Sequence, residues 1–325
     1  MQIFPAPFLV LAGCLCAGDP GNLVPKTVAE DPSLPAIEVA GTRLHAETFG
    51  NPDAPIVMVL HGGPGSDYRS LLPLRALADD GYHVVFWDQR GTGLSQRHDP
   101  KDIDLDVYLE DLRLVIEHYS SEQPLVFIGH SWGAMYATAF INQYGDYHGR
   151  IKGAILSDPG AFTDEQLRAF IARLTGSVDF TGEQLNDALW AGQFLSPADH
   201  ARADYQLTLM AMRGTPSEHR DPNNLPPMWR AGAAVRERLL ALADSEGFDW
   251  TTNLAAFSPR VLFLRSGLNE AEPLEQQQEL AASYPSATII TMEGAGHEMI
   301  WERPDEYLAH ARAYFTEIGF TGGAQ

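Results

Sequence analysis

Six short apolar runs, almost free of polar residues, restrict how this chain can fold more than any other feature. Runs of this kind are typical of strands buried on both faces of a parallel sheet. They are IVMVL (56–60), HVVFW (83–87), LVFIG (125–129), GAILS (153–157), RVLFL (260–264) and TIITM (288–292). Helical periodicity lies between them, as in residues 105–119, and residues 36–50 alternate like an antiparallel hairpin. We therefore predict an α/β fold with a mostly parallel sheet flanked by helices.

The strand pattern stops after Ser157 and returns only near residue 260. Between these points the chain contains helical stretches such as ADYQLTLMAMRG and AAVRERLLALADSEG, with no clear strand. We therefore predict one α/β core, residues 36–160 and 257–320. An all-helical cap, residues 161–256, interrupts this core after its sixth strand.

The N-terminal residues suggest export. Residues 3–13 form an apolar run too short to span a bilayer as a mature helix, and LAGC (11–14) is similar to a bacterial lipobox. We predict a signal peptide over residues 1–13, lipidation of Cys14 and a proline-rich tether over residues 14–35, as in a cell-envelope lipoprotein. No Lys or Arg precedes the apolar run, so an unprocessed terminus on a cytoplasmic protein is the alternative.

The charge balance excludes several kinds of partner. The chain has 22 Lys and Arg against 43 Asp and Glu, a formal net charge of -21. No basic surface is available to neutralise the phosphates of a nucleic acid, and contact with a membrane is expected only through a lipid at Cys14. The two cysteines form no disulfide framework, and no Cys/His cluster with metal-ligand spacing is present. A small-molecule or short-peptide substrate is the expected partner.

A serine between two glycines follows the apolar run at 125–129. GHSWG (129–133) fits the G-x-S-x-G pattern, and it lies between a predicted strand and a helix of small residues, as a nucleophilic serine does. A Cβ at Gly129 or Gly133 would crowd the backbone of so tight a turn, and the helix N-terminus favours an oxyanion. We predict Ser131 as the nucleophile.

Two further motifs supply the groups that an active serine needs. His297 follows the last apolar run in EGAGHEM, and hydrolase triads of this type end with the histidine. HGGPG (61–65) directly follows the run at 56–60, and its glycines let the backbone approach a substrate closely. We predict His297 as the base, and the backbone N–H groups of Gly63 and Trp132 as the oxyanion hole.

HGGPG, WDQRGTGLS (87–95) and GHSWG together resemble the proline iminopeptidase branch of the α/β-hydrolases. The resemblance extends over residues 36–160 and 257–316. It implies an eight-stranded sheet, a helical cap over the site, and catalysis with no cofactor and no metal ion. We interpret Asp88 and Arg90 of the second motif as bracing their loop rather than taking part in the chemistry.

The triad acid is where the sequence departs from the family. Such hydrolases place an Asp after the seventh strand, but the corresponding position here is Asn269, which cannot balance the charge of an imidazolium. A shift of one residue brings Glu270 into this position. Asp158, just past the sixth strand, is the other choice, and haloalkane dehalogenases combine an acid there with Asn after the seventh strand. We favour Asp158, with Glu270 as the alternative and Glu272 third.

These residues predict a serine hydrolase that works through an acyl-enzyme. The substrate is an amide with a free N-terminus, as for a prolyl aminopeptidase, or a small ester or lactone. The cap lacks the Trp-x-x-Trp-Glu stretch with which members of the branch bind the free amine, and this argues against N-terminal proline specificity. Alternatives are an acyltransferase on the same triad and an inactive ligand-binding protein, and the intact Ser131, His297 and HGGPG argue against the latter.

Overall fold

The computed structural model describes residues 24–120, 122–176, 200–213, 221 and 223–323. An eight-stranded sheet lies at its centre, in the order β1-β2-β4-β3-β5-β6-β7-β8. The strands are β1 (Ala36–Val39), β2 (Thr42–Phe49), β3 (Ile56–Leu60), β4 (His83–Trp87), β5 (Leu125–His130), β6 (Ile151–Ser157), β7 (Val261–Ser266) and β8 (Ala287–Met292). The β1–β2 hairpin joins β4 in antiparallel register, and all later pairs are parallel. The predicted fold class is therefore confirmed.

Helices cover the sheet and form the cap. The α-helices are α1 (Leu105–Tyr119), α2 (Trp132–Gln143), α3 (Asp164–Gly176), α4 (His200–Arg213), α5 (Ala233–Glu246), α6 (Leu274–Ala281), α7 (Met299–Glu302) and α8 (Pro304–Glu317). Short 3-10 helices span Arg69–Ala78, Pro100–Asp102, Gly145–Tyr147 and Leu254–Ala256. Within the described residues, no helix has the length and apolar composition needed to cross a membrane.

The central strands read as uninterrupted apolar runs because both faces of the sheet are buried. Along β3, Ile56, Met58 and Leu60 pack into one apolar cluster, which includes α1 and α2. The alternate residues Val57 and Val59 pack into a second cluster, with the 3-10 helix at 69–78 and α8. All five side chains are fully buried. Covering helices on both faces are what an all-parallel sheet requires.

The described part of the predicted cap contains three α-helices, α3, α4 and α5, together with non-helical segments at 223–232 and 247–253. Residues 177–199, 214–220 and 222 lie outside the described residues. Where the chain enters and leaves the cap, it is joined to itself. The N–H of Trp250 donates to the carbonyl oxygen of Phe162 at 2.9 Å, and Thr163 forms a β-bridge with Asp249. The cap therefore begins and ends at one place on the core, above the end of β6.

Two sets of buried polar contacts hold the cap to the core. Asp204 of α4 accepts a hydrogen bond from Nε of the core residue Arg97 at 2.9 Å, and within the cap it accepts one from Arg230 Nε at 2.8 Å. Asp67 accepts from the backbone N–H of Trp229 at 2.6 Å and of Arg230 at 3.0 Å. Asp67 lies just beyond the HGGPG loop, so this loop is tied directly to the cap segment between α4 and α5.

The predicted tether over residues 14–35 needs correction in its second part. Residues 24–35 pack on the core, and Val28 is fully buried, with its N–H donating to the carbonyl oxygen of Leu94 at 2.8 Å. Arg230 donates to the carbonyl oxygen of Pro25 at 3.1 Å, which adds a contact from the cap side. The proline content indicated a tether, but buried apolar and backbone contacts fix the segment. Residues 14–23, with Cys14, and the predicted signal peptide lie outside the described residues.

Candidate active site

Ser131 lies at a sharp turn between β5 and α2. Its backbone has φ +54° and ψ −119°, a strained conformation that residues other than glycine rarely adopt. The Ser131 N–H donates to the carbonyl oxygen of Ser157 at 2.8 Å, which fixes the turn to β6. A Cβ at Gly129 would lie 2.5 Å from the carbonyl oxygen of Gly133, and one at Gly133 would overlap that of Leu60. Both flanking glycines are therefore needed for this turn.

The two predicted oxyanion donors lie beside the serine. Trp132 is the first residue of α2, where backbone N–H groups have no acceptor within the helix and the helix dipole is positive. Gly63 has φ +123°, and a Cβ there would overlap the backbone nitrogen of Gly65. Gly63, Ser131 and Trp132 line the same cavity. Two backbone segments of the kind that can stabilise negative charge therefore border the cavity at Ser131.

Gln89 connects the three sequence motifs. Its backbone N–H donates to Nε2 of His61 at 3.0 Å, and its side-chain Nε2 donates to the His61 carbonyl oxygen at 3.0 Å. Its Oε1 accepts from Nε1 of Trp132 at 2.9 Å. Gln89 therefore holds the HGGPG loop against the residue after the nucleophile. Gln89 is a functional residue that was not predicted from the sequence, although its place within the DQRGTGLS motif is a usable signal.

Asp88 and Arg90 hold their loop in place. Asp88 accepts hydrogen bonds from the backbone N–H groups of Leu94 at 2.8 Å and Tyr68 at 3.2 Å. Arg90 makes two 2.7 Å hydrogen bonds to the carboxylate of Asp111. Both side chains are buried, and neither is among the described residues that line the cavity. Their contacts are those of a structural brace.

His297 follows β8 and faces a carboxylate from β6. Its Nδ1 lies 3.3 Å from Oδ2 of Asp158, and its carbonyl oxygen is hydrogen-bonded to Nε2 of His130 at 2.7 Å. Asp158 is buried and has φ +44°, which turns it away from the strand direction. Ser266 at the end of β7 fixes the carboxylate, because its backbone N–H donates to Asp158 Oδ1 at 2.9 Å and its hydroxyl donates to Oδ2.

The structure does not place the alternative acid Glu270 at the imidazole, and Glu272 lies there instead. Glu270 is exposed, whereas Glu272 is buried with Oε2 3.3 Å from Nδ1 of His297. Nδ2 of Asn269 donates to the same Oε2 at 2.9 Å, and its Oδ1 accepts from the N–H of Ala271 at 3.1 Å. This local turn brings the third residue after Asn269 back to the histidine. A count of residues after β7 could not reveal it.

Burial and charge shift the protonation of this cluster. Burial opposes a charge on His297, but the adjacent Glu272 and Asp158 outweigh it and raise the pKa of His297 well above its usual range. Burial and then the charge of Asp158 raise the pKa of Glu272 to about 8. Oε1 of Glu272 is also buried without a hydrogen-bond partner within the described structure. These observations favour Asp158 over Glu272 as the group that compensates an imidazolium.

Among the described residues, Asp158, Glu272 and His297 form a group that could hold a metal ion. Each offers one possible ligand atom, and these three atoms all lie within 4.8 Å of one another. Three such ligands would suffice for a catalytic zinc ion. However, Nδ2 of Asn269 points at both Glu272 Oε2 and His297 Nδ1, at 2.9 and 3.3 Å. An N–H donor at this position opposes a cation. The cluster fits a hydrogen-bonded proton network better than a metal centre.

Ser131 and His297 line a cavity of about 450 Å³, between the ends of the strands and the cap. This volume is within the range of small-molecule sites. Gly63, Trp132, Asn269 and Glu272 line it as well. The predicted nucleophile, base and oxyanion residues therefore meet at one site with room for a substrate.

A comparison with known families agrees with this geometry. Residues 56–310 match the family described as "Alpha/beta hydrolase family", and the chain belongs to this family. Within it, the chain is similar to proline iminopeptidases along most of its length. It is 27% identical to a proline iminopeptidase of Heyndrickxia coagulans over 286 residues, which cover 84% of this chain and 95% of the relative. The chain is accordingly a hydrolase, as predicted.

Solved structures show the same fold. A proline iminopeptidase-related protein from Thermus thermophilus superposes with a TM-score of 0.63 and 23% identity, covering 88% of this chain and 98% of that one. An enol-lactonase from Burkholderia xenovorans superposes with a TM-score of 0.60 and 19% identity, covering 87% and 100%. A local match to epoxide hydrolase B of Mycobacterium tuberculosis is 41% identical over 103 residues, but it covers only 31% of this chain and 29% of the relative.

Proposed function

We propose that this protein is a serine hydrolase that cleaves a carboxylic ester or amide through an acyl-enzyme. The observation that carries the proposal is the strained Ser131 turn opening into the same cavity as His297, whose Nδ1 lies 3.3 Å from Asp158. Strained non-glycine backbone at a helix N-terminus, beside a buried histidine and carboxylate, is typical of an activated nucleophile.

The residues take these roles in the proposed reaction. Ser131 Oγ attacks the substrate carbonyl carbon while His297 accepts the hydroxyl proton. The N–H groups of Gly63 and Trp132 stabilise the oxyanion of the tetrahedral intermediate. The proton passes from His297 to the leaving alcohol or amine, and the bond to the leaving group breaks. A water molecule, deprotonated by His297, then attacks the acyl carbon. The bond to Ser131 Oγ breaks, His297 returns the proton to Oγ, and the carboxylic acid leaves. Asp158 holds the imidazole and balances its charge throughout.

Labelling of the nucleophile tests the proposal directly. A fluorophosphonate probe is expected to label the folded protein at Ser131, located by peptide mass spectrometry, and to leave Ser131→Ala unlabelled. The labelled protein should lose its turnover of nitrophenyl esters. Failure of labelling in folded protein, or equal turnover by Ser131→Ala, would exclude the serine mechanism. Product analysis with an added alcohol separates hydrolysis from acyl transfer.

An N-terminal aminopeptidase activity is the second candidate, favoured by the relatives along most of the chain. Prolyl and alanyl arylamides test it beside the esters. Arylamide turnover well above that of Ser131→Ala would support a site for the free amine.

We also propose that the protein is exported and lipidated at Cys14, on the basis of the LAGC sequence at residues 11–14. Wild-type protein expressed in a bacterium should incorporate a fatty-acid label and sediment with membranes, and Cys14→Ser should do neither. An unlabelled wild-type protein in the cytosol would contradict export.

A further inference from the structure

One face of α3 lines the active-site cavity with apolar side chains. Leu167, Phe170, Ile171 and Leu174 follow the spacing i, i+3, i+4 and i+7, which places them along one side of a helix. Ile171 is 38% exposed, although its side chain is large and apolar. A helix that served only to cover the core would bury such a stripe against protein atoms. Here the stripe borders the cavity that contains Ser131.

The cap helix α5 repeats this arrangement. Leu239, Leu242, Ala243 and Glu246 also line the cavity, and they have the same helical spacing. Two ionisable residues of α5 also line the cavity, Arg236 in its first turn and Glu246 in its last turn, and both are exposed. We call the space lined by Leu167, Phe170, Ile171, Leu174, Leu239, Leu242 and Ala243 the α3–α5 cleft.

The described lining offers little to hold a cation. Asp104, Asp106 and Glu246 are exposed, so water screens their charge, and the Asp104 side chain accepts the N–H of Val107 at 3.1 Å as the cap of α1. Glu272 is the buried carboxyl in the described lining, but it is held against His297 and Asn269. Binding a substrate ammonium here would therefore leave its charge poorly compensated.

We infer that the α3–α5 cleft binds an uncharged hydrocarbon group of an ester, next to the scissile carbonyl at Ser131. The inference rests on the proposed function, and it names the substrate class of that site. An apolar group in the cleft removes the two helical stripes from water, which is the main source of affinity in such pockets. Phe170 lies next to Gly160, just past the end of β6, so the cleft is continuous with the catalytic end of the sheet.

Two substrate series test the inference and separate the acyl side from the alcohol side. In one, the acyl chain of nitrophenyl esters grows from acetate to butyrate to hexanoate. In the other, the alcohol of an acetate ester grows from ethyl to butyl to hexyl. We expect kcat/KM to rise by roughly threefold to fourfold per added methylene in the series whose chain enters the cleft. Flat or falling values in both series would overturn the inference.

A matched pair of variants tests the site itself. Ile171→Asp places a charge in the cleft, and it should abolish the chain-length preference. Ala169→Asp introduces the same charge two residues earlier, at an exposed position outside the described lining, and it should keep the preference. Equal chain-length profiles for the two variants would contradict the assignment.

A binding measurement separates failure of the cleft from failure of the serine mechanism. Trp132 and Trp250 line the same cavity. Their fluorescence in Ser131→Ala, which cannot form an acyl-enzyme at this residue, should change saturably with nitrophenyl hexanoate and not with the acetate. Saturable binding without fluorophosphonate labelling of the wild type would support the cleft as a binding site and exclude the proposed serine chemistry. Labelling without a chain-length preference in either ester series would do the reverse.

Discussion

The strand ends and the cap helices form opposite walls of one cavity, and they are built differently. At the strand ends several polar groups are fixed by hydrogen bonds: Ser131 to β6, Asp158 to Ser266, and Gln89 to His61 and Trp132. The facing stripes of α3 and α5 are apolar, and Ile171 stays partly exposed. The first wall determines which bond can be attacked. The second determines which molecules can bring that bond to the serine.

The largest expected effect on turnover comes from Asp158, the acid on the strand-end wall of the cavity. Asp158→Asn should lower turnover by about 10⁴-fold, as loss of a triad acid does, because Asn cannot balance the imidazolium. Glu270→Gln should leave steady-state kinetics unchanged, since Glu270 is exposed. Hydrolysis of a nitrophenyl ester measures both. A large loss in Glu270→Gln together with a small one in Asp158→Asn would reverse the assignment.

The rigidity of the same wall can be tested by adding one methyl group. Gly133→Ala should lower the free energy of unfolding by more than about 3 kcal/mol, because the new Cβ would overlap the carbonyl oxygen of Leu60 in a closely packed turn. Gly149→Ala is the matched control, with no atom within 4 Å of its Cβ, and should change stability by less than about 0.5 kcal/mol. Urea denaturation of both variants gives the comparison. Equal stabilities would show that the turn is not tightly constrained.

The free energy of unfolding should depend on pH through Asp67, which joins the strand-end wall to the cap at Trp229 and Arg230. Burial and the charge of Asp88 raise the pKa of Asp67 to about 7. A raised carboxyl pKa gives stability that is fully present below the unfolded value of about 4 and is lost as the pH rises through about 7. The unfolding free energy of the wild type should therefore fall relative to Asp67→Asn across this window, by up to about 1.4 kcal/mol per pH unit. Parallel pH profiles would exclude this role for Asp67.

The smallest effect is expected from Glu272. When Glu272 is ionised, its charge contributes to the raised pKa of His297, and the base works only when the imidazole is neutral. Glu272→Gln should therefore move the ascending limb of the kcat/KM profile to lower pH, with less change in the maximum rate than Asp158→Asn causes. The exposed Glu275→Gln serves as control and should keep the wild-type limb. A limb moved to higher pH would contradict the proposed coupling.

Much of the strand-end wall of the cavity could be predicted from the sequence, for physical reasons. Strands buried on both faces must be apolar throughout, so β3, β4 and β5 could be located from composition alone. The turn at Ser131 admits only glycine at 129 and 133, so its motif is visible in the sequence. The helix predicted over residues 105–119 matches α1 because its apolar face is regular.

The remainder depends on contacts between distant parts of the chain. Glu272 reaches His297 only because Asn269 closes a local turn, and residue counting cannot detect such a turn. Helical periodicity in α3 and α5 predicts a helix, but it cannot say whether the apolar face meets the core or a cavity. For residues 24–35 the prediction from the sequence was wrong. The proline content indicated a tether, whereas the buried Val28 fixes this segment to the core.

The docked segment over residues 24–35 has a practical consequence for engineering this protein. The family match begins at residue 56, and a domain boundary drawn there, or at the first strand, would cut through the folded body. Removing residues 24–35 would expose the carbonyl oxygen of Leu94 and take away the Pro25 and Glu30 contacts of Arg230. Purification tags, fusion partners and chimeric junctions therefore belong upstream of residue 24.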